Sequence, residues 1–182
     1  SALYDIVAQA KEVPVWRLIG DKVRDEVPVA YWSSHLPPEE TAKEAEKAAA
    51  LGFTVHKLKA HAGDIVRQAE MISAATAGVD YAIRVDPNCG FKYPTTAVRL
   101  AKELAPYNID CFEDPVEKTK VNYAWYSLLR HKTDIPQALH LLDPYAVLGA
   151  VKADAVDRFN LSGNVAEVKR CAAIAEAADC PI

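Results

Sequence analysis

What most constrains the fold of this chain is the regular alternation of short apolar, β-branched runs with longer stretches whose apolar residues recur at helical spacing. Strands that alternate with helices pair in parallel, because each helix is the crossover that returns the chain to the starting edge. The pattern predicts a helix over 2–18, with Ile6, Ala10 and Val13 on one face and Gly20 stopping it, then a strand over 27–32. Pro37 and Pro38 open a helix that Gly52 closes, with Glu39 and Lys43 four apart. A strand over 54–59 leads to a helix that starts at Asp64, buries Ile65, Ala69 and Ile72, and ends at Gly78, before a strand over 81–86. Pro94 starts the next helix, whose stripe of Ala97, Leu100, Ala101 and Leu104 should pack on the sheet. A strand over 109–113, a helix over 123–130, a strand over 135–141, a helix over 145–152 and a strand over 156–161 continue the rhythm. Asn164 and Glu167 make a capping-box pair for a last helix that runs to Asp179.

This order predicts an α/β chain of TIM-type (β/α) barrel architecture, incomplete, because a whole eight-stranded barrel takes roughly 250 residues. Residues 1–22 are expected to form a linker helix leading into the barrel. Residues 23–182 are expected to form a partial barrel of strands one to six, with 180–182 as the start of strand seven. An open doubly wound sheet has the same rhythm, but no Gly-rich phosphate loop supports it. With 51% hydrophobic and 25% charged residues, the chain has the composition of a soluble globular domain. Its net charge of -4, with no block of like charge, disfavours nucleic acid as a partner. No apolar run approaches the ~20 residues of a membrane helix, and no basic-then-apolar leader opens the sequence. Cys89, Cys111, Cys171 and Cys180 lack metal-finger spacing and suit reduced thiols, so a cytoplasmic chain is expected.

Period-two alternation sends Val55, Lys57 and Lys59 to one side of the second strand. Two ammonium groups pointing together depress each other's pKa, and partial burial adds to this, which favours the neutral amine of a general base. The plainer alternative is a pair of solvated lysines on an edge strand. The third strand ends Arg84-Val85-Asp86-Pro87-Asn88 and the fourth Phe112-Glu113-Asp114-Pro115, so each brings an acid to its carboxyl end. Equal steps of 27 residues separate Lys59, Asp86 and Glu113, as equivalent points on successive strands would be. Barrel enzymes build their sites on this rim, and carboxylates gathered there repel unless a cation sits among them. Helix capping by Asp86 and Asp114 is the competing explanation.

Lys57-Leu58-Lys59, Arg84 to Asn88 and Phe112 to Pro115, in this order, resemble the mandelate racemase and muconate lactonizing branch of the enolase superfamily. The likeness covers essentially the whole chain, and Tyr4-Asp5-Ile6, Pro14-Val15 and Leu18-Ile19-Gly20 resemble that family's linker before the barrel. The resemblance implies Mg²⁺, which binds the carboxylate of a small-molecule substrate and stabilises the enolate left when a base takes the α-proton. It implies Asp86 and Glu113 as metal ligands, Lys59 as the base and Lys57 as its electrostatic partner. Ile135-Pro136 leads to His140 where the family usually has a third acidic or amide ligand, so His140 is the candidate third ligand and Asp143 a weaker substitute. Asn88, Asn160 and Ser162 are candidate substrate contacts.

Where relatives carry a second base, this chain reads Phe159-Asn160-Leu161-Ser162, and neither Asn160 nor Ser162 is a competent base. That departure ranks dehydration of an acid sugar or hydroxy acid first, and racemisation, epimerisation or cycloisomerisation second. A catalytically inactive barrel or fragment is the alternative from another class. Unpaired strand edges invite association, and a homo-oligomer is expected for the full-length protein. His35, His56, His61 and His131 show no mutual spacing that suggests zinc, although His61 lies close enough to the base strand to reach a substrate. Trp16, Trp32 and Trp125 are expected to pack.

Overall fold

The computed structural model describes residues 2–118 and 122–182. Six parallel strands form one open sheet in chain order, β1 (Tyr31–Ser33), β2 (Val55–Lys59), β3 (Ala82–Asp86), β4 (Ile109–Glu113), β5 (Gln137–Leu141) and β6 (Arg158–Leu161). The crossovers are α3 (Pro38–Ala50), α4 (Ile65–Ala75), α5 (Pro94–Leu104), α6 (Tyr123–Lys132) and α7 (Pro144–Lys152), and α8 (Val165–Ala177) follows β6. Beyond α8 the Phe159 amide donates to the Pro181 carbonyl at 2.8 Å, so 180–182 begin to pair along the free edge of β6.

One face of the sheet carries the core. Leu58, Ile83, Val85, Phe112, Leu139 and Phe159 point to the helices, where Ala45, Ile72, Leu100, Leu104, Leu129 and Val147 meet them. Each Leu, Ile, Val or Phe side chain among these contributes about 1.5–3 kcal/mol when fully buried. Alternation leaves Lys57, Lys59, Arg84 and Asp86 to the opposite face. That division between an oily and a charged face is what positions the site.

The expected capping box is present in full: Asn164 accepts from the Glu167 amide and Glu167 accepts from the Asn164 amide. The leading helix is not continuous. It divides into α1 (Ala2–Ala10) and α2 (Trp16–Ile19), because Pro14 offers no amide hydrogen and Glu12 turns to φ 53°. Ile6 is exposed and only Ala8 is buried on α1, so the apolar face read from Ile6, Ala10 and Val13 is not a core face. The first strand is also shorter and later than 27–32. Val27 and Val29 are exposed around Pro28, whose missing donor keeps them out of the ladder. Trp125 packs against the core, whereas Trp16 and Trp32 are exposed, which corrects the expectation for both. All four cysteines are free thiols. Among the described residues, no helix is long and apolar enough to cross a membrane.

Candidate active site

β2, β3 and β4 each end in a charged residue because the strand rises straight to the carboxyl rim and its last inward side chain meets those of its neighbours. The parallel register sets Lys57 beside Arg84 and Lys59 beside Asp86. Lys59 Nζ donates to Asp86 Oδ2 at 2.5 Å, while Lys57 Nζ lies 2.7 Å from Glu113 Oε1 and 3.1 Å from Asp86 Oδ2. Asn160 of β6 donates to Glu113 Oε1 at 2.8 Å. One connected cluster therefore contains Lys57, Lys59, Asp86, Glu113 and Asn160.

The two carboxylates are almost wholly out of water, with 1% of Asp86 and 2% of Glu113 exposed. Burial alone would raise the Asp86 pKa, but the hydrogen bond from Lys59, the charge of Lys57 and the Asn88 amide outweigh it and hold the carboxyl below its usual range. Lys57 corrects the expectation from sequence. Burial pulls its pKa down, yet the hydrogen bond and charge of Glu113, joined by Asp86, more than offset this, so its pKa is raised. The opposite charges beside Lys57 outweigh its burial, and the group stays cationic.

The remaining expected residues fall around this cluster. Asn88 gives its backbone amide to Asp86 Oδ1 at 3.0 Å, from a left-handed conformation with φ 47° that asparagine tolerates. His140 Nε2 pairs with Ser162 Oγ at 2.7 Å, across the β5–β6 register of His140 with Asn160. Asp143 accepts from the Ala146 amide as the N-cap of α7, so its carboxylate is occupied as a cap rather than offered as a ligand. Capping does not explain the rim acids. Asp86 binds both lysines, and Asp114 accepts from the His140 amide at 3.0 Å and from Lys118, which also donates to the His140 carbonyl at 2.7 Å. Asp114 thus ties the β4 rim to β5, and burial raises its pKa against the pull of Lys118.

The donors fit a hard divalent cation. Among the described residues, Glu113 Oε2 is buried and without a hydrogen-bond partner, an orphan that a cation would satisfy in a pocket already lined with oxygen donors. Atoms of Glu113, Asp114 and His140 lie within 4.8 Å of one another, while Asp86 joins Glu113 through the shared Lys57 ammonium. Asp86, Glu113 and His140 do not themselves form one such compact group among the described residues.

Two features here are not readable from the sequence. The β3–β4 register advances from Ile83 opposite Ile109 to Arg84 opposite Cys111, leaving Asp110 as an extra residue. The bulge aims Asp110 at Arg84 Nε, 2.8 Å away, and at Arg158 Nη1, 2.7 Å away. This arginine–aspartate–arginine bridge spans β3, β4 and β6 on the sheet face that bears Lys57. Trp32, in register with Lys57 and 57% exposed, shares that face and is free to meet a ligand.

The sheet order, the lysine pair and the buried acids are those of a barrel domain of the enolase type. A sequence profile of the enolase C-terminal domain-like family matches residues 40–182, and the chain belongs to that family, in the mandelate racemase and muconate lactonizing enzyme branch. The N-succinyl-L-Arg/Lys racemase of Bacillus cereus is 30% identical over 164 residues, which is 88% of this chain and 44% of that protein. Its crystal structure superposes with a TM-score of 0.86 over 96% of this chain and 49% of that one. The D-galactonate dehydratase of Pectobacterium atrosepticum is 30% identical over 153 residues, covering 75% of this chain and 38% of that protein. The dipeptide epimerase of Cytophaga hutchinsonii, solved with Mg and the dipeptide D-Ala-L-Val, is 28% identical with a TM-score of 0.86, over 99% of this chain and 50% of that one. The relatives are racemases, epimerases, dehydratases and cycloisomerases, and the chain spans about half the length of the curated relatives it matches.

Proposed function

We propose that this domain abstracts the α-proton of a small carboxylate substrate at Lys59, with Mg²⁺ as the cofactor. The observation that carries the reading is the single hydrogen-bonded cluster of Lys57, Lys59, Asp86 and Glu113 on the open face of the sheet. Asp86 and Glu113 would hold the ion, with His140, one ring nitrogen of which lies within 4.8 Å of a Glu113 carboxylate oxygen, as the third ligand. When bound, Mg²⁺ anchors the substrate carboxylate and neutralises the charge that develops on it, without which such an α-proton is scarcely acidic. Lys57, kept cationic by its acidic neighbours, adds positive charge on the same side and does not compete for the proton. Lys59 Nζ, more exposed than Lys57 at the end of β2, is the amine that receives the proton. Asn160 steadies Glu113, and Asn88, with its backbone holding Asp86, and Ser162, held by His140, would serve as polar contacts for the substrate.

Dehydration of an acid sugar or hydroxy acid is our leading reaction, because the rim of β6 offers Asn160 and Ser162 rather than a second base. Racemisation or epimerisation is supported to the same degree by the racemase and epimerase relatives. A panel of N-succinyl amino acids, dipeptides and aldonates incubated with Mg²⁺ in deuterated water separates these readings by mass spectrometry and NMR. Loss of water indicates dehydration, and α-deuteration with inversion indicates racemisation. A catalytically silent barrel would exchange no α-proton and would show no saturable Mg²⁺ binding that Asp86→Asn weakens.

A further inference from the structure

We propose that His35, His61 and Asp64 form a second metal site, on the rim between β1 and β2, which takes a borderline transition ion of the Zn²⁺ class. The three residues come from three places in the chain. His35 lies in the loop after β1, His61 just beyond the end of β2, and Asp64 is the N-cap residue of α4. One ligand atom from each lies within 4.8 Å of the others, and His35 Nε2 is 3.1 Å from Asp64 Oδ2. Ligand atoms in a tetrahedral zinc site, with bonds of about 2.0–2.1 Å, stand ~3.3 Å apart. One pair already has that spacing, and the exposed His61 ring would turn out of its stack on His35 to bring in the third ligand atom.

One further observation favours an ion over an ordinary hydrogen bond. Asp64 stands at the N-cap yet makes no capping bond to its helix, so its carboxylate is turned to the histidines instead of to the amides it would normally satisfy. Two imidazole nitrogens and one carboxylate oxygen form a softer donor set than the acids on β3 and β4, so the two sites should sort ions by hardness. Three protein ligands leave a fourth position open to water or to a substrate group. This inference does not depend on the reaction proposed for Lys59.

The test is calorimetric titration of the chelator-stripped chain with ZnCl₂ at neutral pH, paralleled by Co²⁺ titration read from its visible absorption. The expected result is an equivalent of Zn²⁺ bound with Kd on the order of micromolar. His35→Ala, His61→Ala, His61→Gln and Asp64→Ala should each weaken it at least tenfold, and Glu113→Gln should leave it in place. The metal-free variants should keep the parent circular dichroism and melting curve, since all three side chains are at least partly exposed. An equivalent that survives in both His61 variants, or disappears in Glu113→Gln, overturns the assignment. Binding no tighter than roughly millimolar overturns it as well.

Discussion

Acidification should destabilise this domain through one buried imidazole. His56, on the helix-facing side of β2, is 0% exposed. Its Nε2 pairs with Ser33 Oγ at 2.8 Å, and its Nδ1 has no partner among the described residues. Burial lowers its pKa from 6.5 to about 4, against a weaker opposing pull from the Glu44 carboxylate. Between those values the unfolded chain holds a proton that the folded chain does not. Stability therefore rises with pH across the window, is complete above 6.5, and is lost as the pH falls towards about 4. A tenfold difference in proton affinity between the folded and unfolded chains is worth about 1.4 kcal/mol, so the full effect is about 3 kcal/mol, and most of it is already lost near pH ~4.5. The assay is urea denaturation at neutral and mildly acidic pH for the parent chain and for His56→Leu, compared as a double difference. That comparison removes the carboxylate contributions common to both chains and the pH-independent cost of leaving Ser33 unpaired. The parent should lose about 2–3 kcal/mol more than the variant. Equal losses in the two proteins would refute the idea that buried His56 is kept neutral.

Asp110→Asn, which removes the charge shared by Arg84 and Arg158, should cost roughly 2–4 kcal/mol by denaturant midpoint; a loss under about 0.5 kcal/mol would show the bridge to be dispensable. Gly90→Ala would put a Cβ 2.7 Å from the Pro87 carbonyl oxygen in the loop after β3, and should cost about 1–3 kcal/mol in thermal unfolding. Tyr126→Phe deletes the buried hydroxyl that donates to the Val116 carbonyl, with an expected loss of about 1–2 kcal/mol; an unchanged melting temperature would contradict that.

How far these features can be read from the sequence follows from the physics behind each. β4 matches its expected span, because Ile109, Cys111 and Phe112 supply strand-forming apolar side chains and Asp114-Pro115 closes the segment. The rim constellation is legible for a related reason. Period-two alternation fixes which face Lys57, Lys59 and Asp86 occupy, and strand ends fix their height. The first strand lies later than its side chains suggest, because Val27 and Val29 are strand-like while Pro28 cannot complete the ladder. Asp110 is invisible to pattern because a bulge breaks the alternation on which such reading depends. The direction of the Lys57 pKa change is also hidden, since counting like charges on one strand ignores the carboxylates contributed by the next two. His35, His61 and Asp64 lie on loops, whose geometry no periodicity encodes, so only the folded chain shows them together.

In the proposed reaction the Lys59 amine takes the substrate α-proton while Lys57 only supplies charge. Its most direct test is the rate of α-deuterium incorporation in D₂O, with Mg²⁺ present, for the parent chain, Lys59→Ala and Lys57→Ala, on whichever carboxylate of the panel exchanges. Lys59→Ala should abolish exchange, by at least ~10³-fold, whereas Lys57→Ala should slow it by about 10²-fold and leave it measurable. Exchange that persists in Lys59→Ala at the parent rate would contradict the account.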